Sequence, residues 1–390
     1  MSAPGPGSER RPPATAGFPR MMKEPGDRRV FTPGFVHFLA RRGVSVFVEE
    51  GYGARAGIDY TAGAPEGLRV RTCSRAEAFR KDLVFMLRSP RVEEMEALRP
   101  GSCLISMLHF PTRPRRVETL RSLGVDAISL DGIEDDGQLR LVENMKAVAW
   151  NGLEAAFNAL ARSRPGLERP DGGALRVLIL GTGMVGKHAV EAAAKTGNVE
   201  RNERLIGGRR PGVVALSAGR NLTGDARAME ALLRQTDILV DATQRRDSAR
   251  PVIPNGWLRW LPPDAVIADL AVDPYALDVS PPVVRGIEGI PRGDLDKYCF
   301  APDDPDWDRT VPAGIPSAER RTVVSCYSWP GVHPEACMEH YARQLMPLME
   351  PLLRLGCARL SPDGGYFERA LYRGTLRAWA GSPRRDSRRR

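Results

Sequence analysis

Three glycines carry the clearest chemical signal in this chain. Gly181, Gly183 and Gly186 stand in the order G-x-G-x-x-G. They follow a short, branched apolar run at 177–180 and precede a stretch to 194 whose small and apolar residues recur at helical spacing. This is the strand–turn–helix setting in which such a motif can cradle a pyrophosphate. Gly181 permits the tight turn, Gly183 lets the backbone approach the phosphates, and Gly186 lets helix and strand pack closely. Met184 and Val185 lie in the opening of that helix, where unpaired N–H groups favour an anion. A dinucleotide site is expected here.

The end of the next strand, expected at 213–216, is where an acidic residue would hold the ribose hydroxyls of NAD. Ser217 stands there instead, followed by Ala218, Gly219 and Arg220. A missing carboxylate with an arginine close by favours a 2′-phosphate, so NADP is expected ahead of NAD. Ala242 and Thr243 follow the strand at 237–241, and small residues at such a turn suit a nicotinamide ribose.

A second set of polar residues lies earlier. Strands are expected at 82–87, 102–108 and 126–130, with helices between them, and they end at Arg88, His109 and Asp131. Repeated β-α-β implies a parallel sheet, and ligands bind beyond the carboxyl ends of such strands. A histidine suits acid–base work there because its unperturbed pKa is about 6.5. Arg28 and Arg29 come just before a helix opened by Thr32 and Pro33. An arginine at that place can clamp a carboxylate through two parallel hydrogen bonds. A later strand, at 266–272, ends at Asp273.

These residues need elements to position them. A chain of 390 residues is long enough for two domains. A Pro/Gly-rich stretch at 163–173 separates the early β-α-β units from the glycine motif, and an apolar helix at 142–161 leads into it. A helix at 335–355 is expected to return to the first domain. The expected fold is α/β: two Rossmann-like domains with parallel sheets and an interdomain cleft, the N-terminal one discontinuous. Residues 21–150 plus 315–380 form the substrate domain and 165–312 the dinucleotide-binding domain. Residues 1–20, rich in Pro, Gly, Ser and Arg, are expected to be a flexible tail, and 381–390 a basic one.

Composition narrows the function. A hydrophobic share of 42% is that of a soluble globular protein. No run approaches the roughly 20 apolar residues of a membrane helix, and no apolar signal core opens the chain. A cytoplasmic protein is expected, with no membrane partner. The six cysteines, at 73, 103, 299, 326, 337 and 357, lack C-x-x-C or metal-ligand spacing, so reduced thiols and no metal are expected. Much of the net charge of +9 sits in the terminal arginines, and no nucleic-acid partner is expected.

The order of these features resembles the family of alanine dehydrogenase, the lysine-forming saccharopine dehydrogenases and the nucleotide-binding subunit of transhydrogenase. The resemblance rests on KEPGDRRVFTPGFV, LRSP, the strand ending in His109, ENMKAVAWNGLEAAF, GTGMVG, the strand ending in Asp273 and SWPGVHPEA. It implies that Arg28 holds a substrate carboxylate, that His109 is the acid/base at the carbon–nitrogen centre, and that Asp273 orients substrate and nicotinamide. It also implies a small amino or oxo acid as substrate, and homo-oligomeric assembly. One position departs. Arg88 stands where alanine and saccharopine dehydrogenases carry lysine. Arginine stays protonated and can hold an anion but not shuttle a proton. That suits a bulkier amino acid, an opine-like secondary amine or another oxo acid. The expected function is therefore an NAD(P)-dependent oxidoreductase of a CH–NH bond. The alternatives are an opine-type reductase joining an amine to a 2-oxo acid, and a nucleotide-binding sensor without catalysis.

Overall fold

The computed structural model describes residues 12–381 apart from 23, 63, 65, 66, 205–211 and 246. The chain divides into two compact units. One comprises 1–143 with 334–390, the other 144–333. Each is an α/β unit around one sheet, in agreement with the expected fold class.

The sheet of the first unit contains β1 (Thr15–Phe18), β2 (Ser45–Glu49), β3 (Val70–Cys73), β4 (Leu83–Arg88), β5 (Cys103–Met107) and β6 (Asp126–Ser129). Their order is β3-β2-β1-β4-β5-β6, and every pair is parallel. Strand order reverses between β1 and β4, which opens a crevice at their carboxyl ends. Helix Pro33–Arg41 follows that crevice. Thr32 caps it by accepting from Phe35 N at 3.2 Å, and Pro33 occupies its first turn. Phe18, Phe31, Phe35 and Phe85 pack ring against ring beneath it. Helix Pro334–Leu355 adds Met338, Leu345, Leu348 and Leu352 to the same core.

The second unit holds β7 (Leu175–Leu180), β8 (Val213–Ala218), β9 (Ile238–Asp241), β10 (Val266–Asp269), β11 (Cys299–Phe300) and β12 (Thr322–Ser325). The order is β11-β12-β10-β9-β7-β8, parallel except for β11 against β12. Here the order reverses between β7 and β9. Helix Met145–Ser163 covers one face with Ala149, Leu153, Ala156 and Leu160.

Three expectations change. Residues 15–18 are not tail. They form β1, in the middle of the sheet, with Ala16 and Phe18 wholly buried. Too short and too small to signal a strand alone, this segment is held by β2 and β4. Arg20, expected in the same tail, pairs with Glu49 at 2.9 Å, and Gly381 ends helix Leu376–Gly381; positions 1–11 and 382–390 lie outside the described residues. Strand β10 ends at Asp269, where Leu270 and Ala271 turn their N–H groups to Asp241 O, and Asp273 lies four residues beyond it after Val272 at φ 48°. Strand β5 ends at Met107, and His109 follows in a left-handed turn. The Pro-, Gly- and Asp-rich stretch 289–316 contains β11 and helix Asp306–Thr310, where Trp307 is fully buried. Among the described residues no helix is long and apolar enough to cross a membrane.

Candidate functional site

The glycine loop turns at the switch point of the second sheet. Gly181 has φ 104°, and a Cβ there would come within 2.5 Å of Ala242 O. A Cβ on Gly186 would lie 2.3 Å from Gly181 O. Neither position has room for a side chain, so both glycines are required by close packing of the turn against its helix and against β9. At Gly183, by contrast, a Cβ would meet nothing within 4 Å. The open space belongs to a pocket of about 770 Å³ lined by Gly181, Thr182, Gly183, Arg220, Ala242 and Thr243 among others. Helix Met184–Ala194 begins there, with its free N–H groups and the positive end of its dipole at the pocket. Met184 is exposed, and Val185 is half-buried. The cradle suits a phosphate-bearing ligand.

The other expected cofactor residues surround the same pocket unevenly. Arg220 opens the short helix Arg220–Thr223, lines the pocket, and donates from Nη2 to Gln244 O at 3.2 Å. Ser217, on edge strand β8, is exposed and is not among the lining residues. Ala242 and Thr243 leave the end of β9, where Ala242 N donates to Leu180 O at 2.9 Å. Thr243 donates from both N and Oγ1 to Asp241 Oδ1, at 3.0 and 2.7 Å.

Beneath this rim is an ionic cluster that sequence reasoning missed. Asp241, Asp269 and Arg285 are each at least 98% buried. Asp269 Oδ2 accepts from Arg285 Nη1 and from Ser325 Oγ, the latter at 2.9 Å. Burial, and then the Asp269 charge, push the Asp241 carboxyl up to about 7. Asp273 emerges from the same end of the sheet and pairs with Arg245 Nη2 at 2.6 Å. A lone arginine in the apolar run PPVVRGIEGI was the available signal, since such a residue must find a buried partner.

In the first unit the strand ends gather a second polar group. His109 sits at φ 50° and ψ 49°. Its Nδ1 is 3.1 Å from Asp131 Oδ2, while its backbone N donates to Asp131 Oδ1 at 3.1 Å. Ser129 Oγ donates to the same Oδ1 at 2.7 Å. The carboxylate therefore fixes one ring nitrogen. His109 Nε2 has no protein partner among the described residues, and the ring is 44% exposed. Arg88 ends β4 in register with Met107 of β5, two residues before His109. It binds Glu24 Oε1 through Nε at 2.9 Å and Nη2 at 2.7 Å.

Glu24 also meets Arg29, at 3.5 Å, and Arg29 is clamped by Asp27 at 2.9 and 2.7 Å. Arg29 is thus buried beside Arg88, whereas Arg28 is exposed. Arg88, Glu24 and Arg29 come together at the β1/β4 switch point, with His109 and Asp131 at the ends of the next two strands. Arg28 does not join them. The alternating charges of KEPGDRR were the only hint of this pairing.

Two Rossmann-like units, one with a phosphate cradle and one with a histidine–carboxylate pair at its strand ends, define a two-domain α/β protein. Residues 18–149 match the profile of the alanine dehydrogenase/PNT N-terminal domain. The chain is 26% identical over 280 residues to the alanine dehydrogenase of Bacillus subtilis, a match covering 66% of this chain and 70% of that one. It is 24% identical over 195 residues to the NAD(P) transhydrogenase subunit alpha of Haemophilus influenzae, across 47% of this chain and 37% of that one. A solved L-alanine dehydrogenase superposes with a TM-score of 0.67 at 21% identity, covering 93% of this chain and 94% of that one, a likeness of fold. By these matches the chain is similar to alanine dehydrogenases and to the transhydrogenase alpha subunit, the proteins its motifs resemble.

Proposed function

We propose that this protein is an NAD(P)-dependent oxidoreductase acting on the CH–NH bond of an amino or imino acid. The observation that carries the reading is the His109–Asp131 contact at the ends of β5 and β6, one strand over from Arg88. A nicotinamide dinucleotide, once bound, supplies or accepts a hydride. The chain's own residues do the rest. Gly183 and the N–H groups at Met184 and Val185 would receive the pyrophosphate between the packed glycines Gly181 and Gly186. Ala242 and Thr243 would border the ribose. Arg220, with Ser217 in place of an acidic residue, favours a 2′-phosphate, hence NADP over NAD.

His109 would hold or release a proton at Nε2, because Asp131 holds Nδ1 as the donor. Arg88, with Arg28 as the second candidate, would hold the substrate carboxylate, and Asp273 would orient the reacting atoms. The names of the relatives, alanine dehydrogenase first among them, support an amino acid as the substrate class. Arginine at 88 favours a larger or secondary amine over alanine.

A panel of 2-oxo acids crossed with amines, ammonia included, tests this with NADPH and NADH, read by nicotinamide absorbance. Oxidation of NADPH with ammonia and one oxo acid supports a deaminating dehydrogenase. A strict need for an organic amine identifies an opine-type reductase instead. No oxidation with any pair overturns the enzymatic reading in favour of a nucleotide-binding sensor.

A further inference from the structure

One turn of the second unit is held in a conformation its sequence disfavours. Val272 has φ 48°, and a β-branched residue is an outlier in the left-handed region. Strain of this kind persists only where the surroundings over-determine it, and it gathers at functional sites. The surroundings here are specific. Leu270 and Ala271 donate their N–H groups to Asp241 O at 2.9 and 3.1 Å. Val272 donates to Asp269 Oδ1 at 2.8 Å. The other Asp269 oxygen is taken by Ser325 Oγ and Arg285 Nη1. Trp329 Nε1 donates to the Asp269 carbonyl at 2.7 Å.

The next residue after Val272 is Asp273. Pro274 behind it disfavours a helical backbone at Asp273. Its carboxylate is met by Arg245, which also donates to the carbonyls of Ser248 and Arg250. The strained turn therefore sets where one carboxylate points. A buried ion pair is weak ground for stability, because apolar residues of similar volume often serve as well. The Asp269–Arg285 pair has a different use: it grips the N–H of the one residue that would otherwise relax.

We infer that Asp269 and Arg285 are positioning residues, which lock Val272 left-handed and so fix where the Asp273 carboxylate points. This rests on the reading that Asp273 orients the substrate. Asp269→Asn alone leaves Arg285 buried without a counter-charge and endangers the fold. The paired change Asp269→Leu with Arg285→Met removes the lock and leaves no lone charge. Melting curves and NADPH fluorescence titration then report fold and dinucleotide affinity, and kcat is measured with the best amine–oxo-acid pair.

The paired variant should fold and bind NADPH normally, yet lose about 10- to 10²-fold in kcat, the scale of an ångström-sized misplacement. Adding Val272→Gly should recover most of the loss, since glycine accepts a left-handed φ without the lock. A merely structural role gives no such recovery. If the paired variant does not fold, Ser325→Ala carries a milder form of the test, because it removes one of the two donors that hold the opposite Asp269 oxygen and so loosens the grip on Val272. Parental kcat in the unlocked protein, or no recovery with Val272→Gly, overturns the inference. Asp273→Asn is the control. If it turns over normally, the reading of Asp273 fails and the inference with it. If it is impaired while the paired variant is not, the inference alone fails.

Discussion

Burial alone would raise the pKa of Asp131, but hydrogen bonds from His109 and Ser129 outweigh it and hold the carboxyl well below the ordinary carboxylate range. The stability this gives is present above the unfolded value, about 3.9, and is lost only as pH falls through the lower native value. Asp131 thus stays ionised, and His109 stays oriented, through the neutral range. His109→Ala should lower kcat by about 10²- to 10⁴-fold, the usual share of general acid–base catalysis, with NADPH titration unchanged. Asp131→Asn should act in the same direction, because the ring would lose the acceptor that fixes its tautomer. Near-parental kcat in His109→Ala at every pH would remove the residue from the mechanism.

The glycines separate binding from packing at the same scale. Gly183→Val would place a branched side chain in the open cradle, so dinucleotide binding should disappear while the melting temperature holds. Gly186→Ala meets a carbonyl oxygen at 2.3 Å, and such overpacking costs about 1–3 kcal/mol. Its melting temperature should fall. Arg220→Ala should weaken NADPH by about 10- to 10²-fold, the value of a charge-assisted hydrogen bond, and leave NADH nearly unchanged. Equal loss for both cofactors would contradict the 2′-phosphate reading.

At the scale of elements, β1 is the instructive case. Gly17 faces the backbone of helix Arg75–Phe79, and a Cβ there would lie 1.9 Å from Ala78 O. That oxygen is not the end of a flexible side chain. Gly17→Ala should therefore destabilise the first unit well beyond an ordinary surface change, visible as a lowered melting transition and faster proteolysis. The last four residues of β7 and the glycine turn were legible from sequence because a branched apolar run, three glycines and a helical period all agree. The strand β1 was not, because its four residues owe their conformation to the strands on either side. Strand β3 was hidden likewise, since two of its four residues are exposed. Among the candidate residues, positions at strand ends could be read from the β-α-β rhythm. Charge partners could not. Glu24, Arg29 and the Asp269–Arg285 pair are joined by tertiary packing, which no local spacing encodes.

At the scale of the molecule, Asp241 should shape the response to pH. Its native carboxyl holds a proton up to about 7, raised by burial and then by Asp269. The unfolded chain releases that proton near about 3.9. Between those values the native state binds more protons, so stability contributed here falls as pH rises. Asp241→Asn keeps an acceptor for Thr243 and removes the charge. Its melting temperature relative to the parent should rise on going from about pH 5 to about pH 8. A difference that is flat with pH would show that Asp241 does not titrate in this window.

The first unit draws its core from both ends of the chain: Phe18 and Phe85 share it with Leu345 and Leu352. The second unit is one uninterrupted segment between them. During synthesis the middle of the polypeptide can fold as soon as it clears the ribosome, since domains form as units in order of emergence. The segment before residue 144 must wait for the one after 333. Until helix Pro334–Leu355 arrives, the aromatic floor of the N-terminal sheet lacks its cover. A nascent chain stalled beyond residue 333 should therefore protect the middle segment from protease while leaving the earliest one open to chaperones.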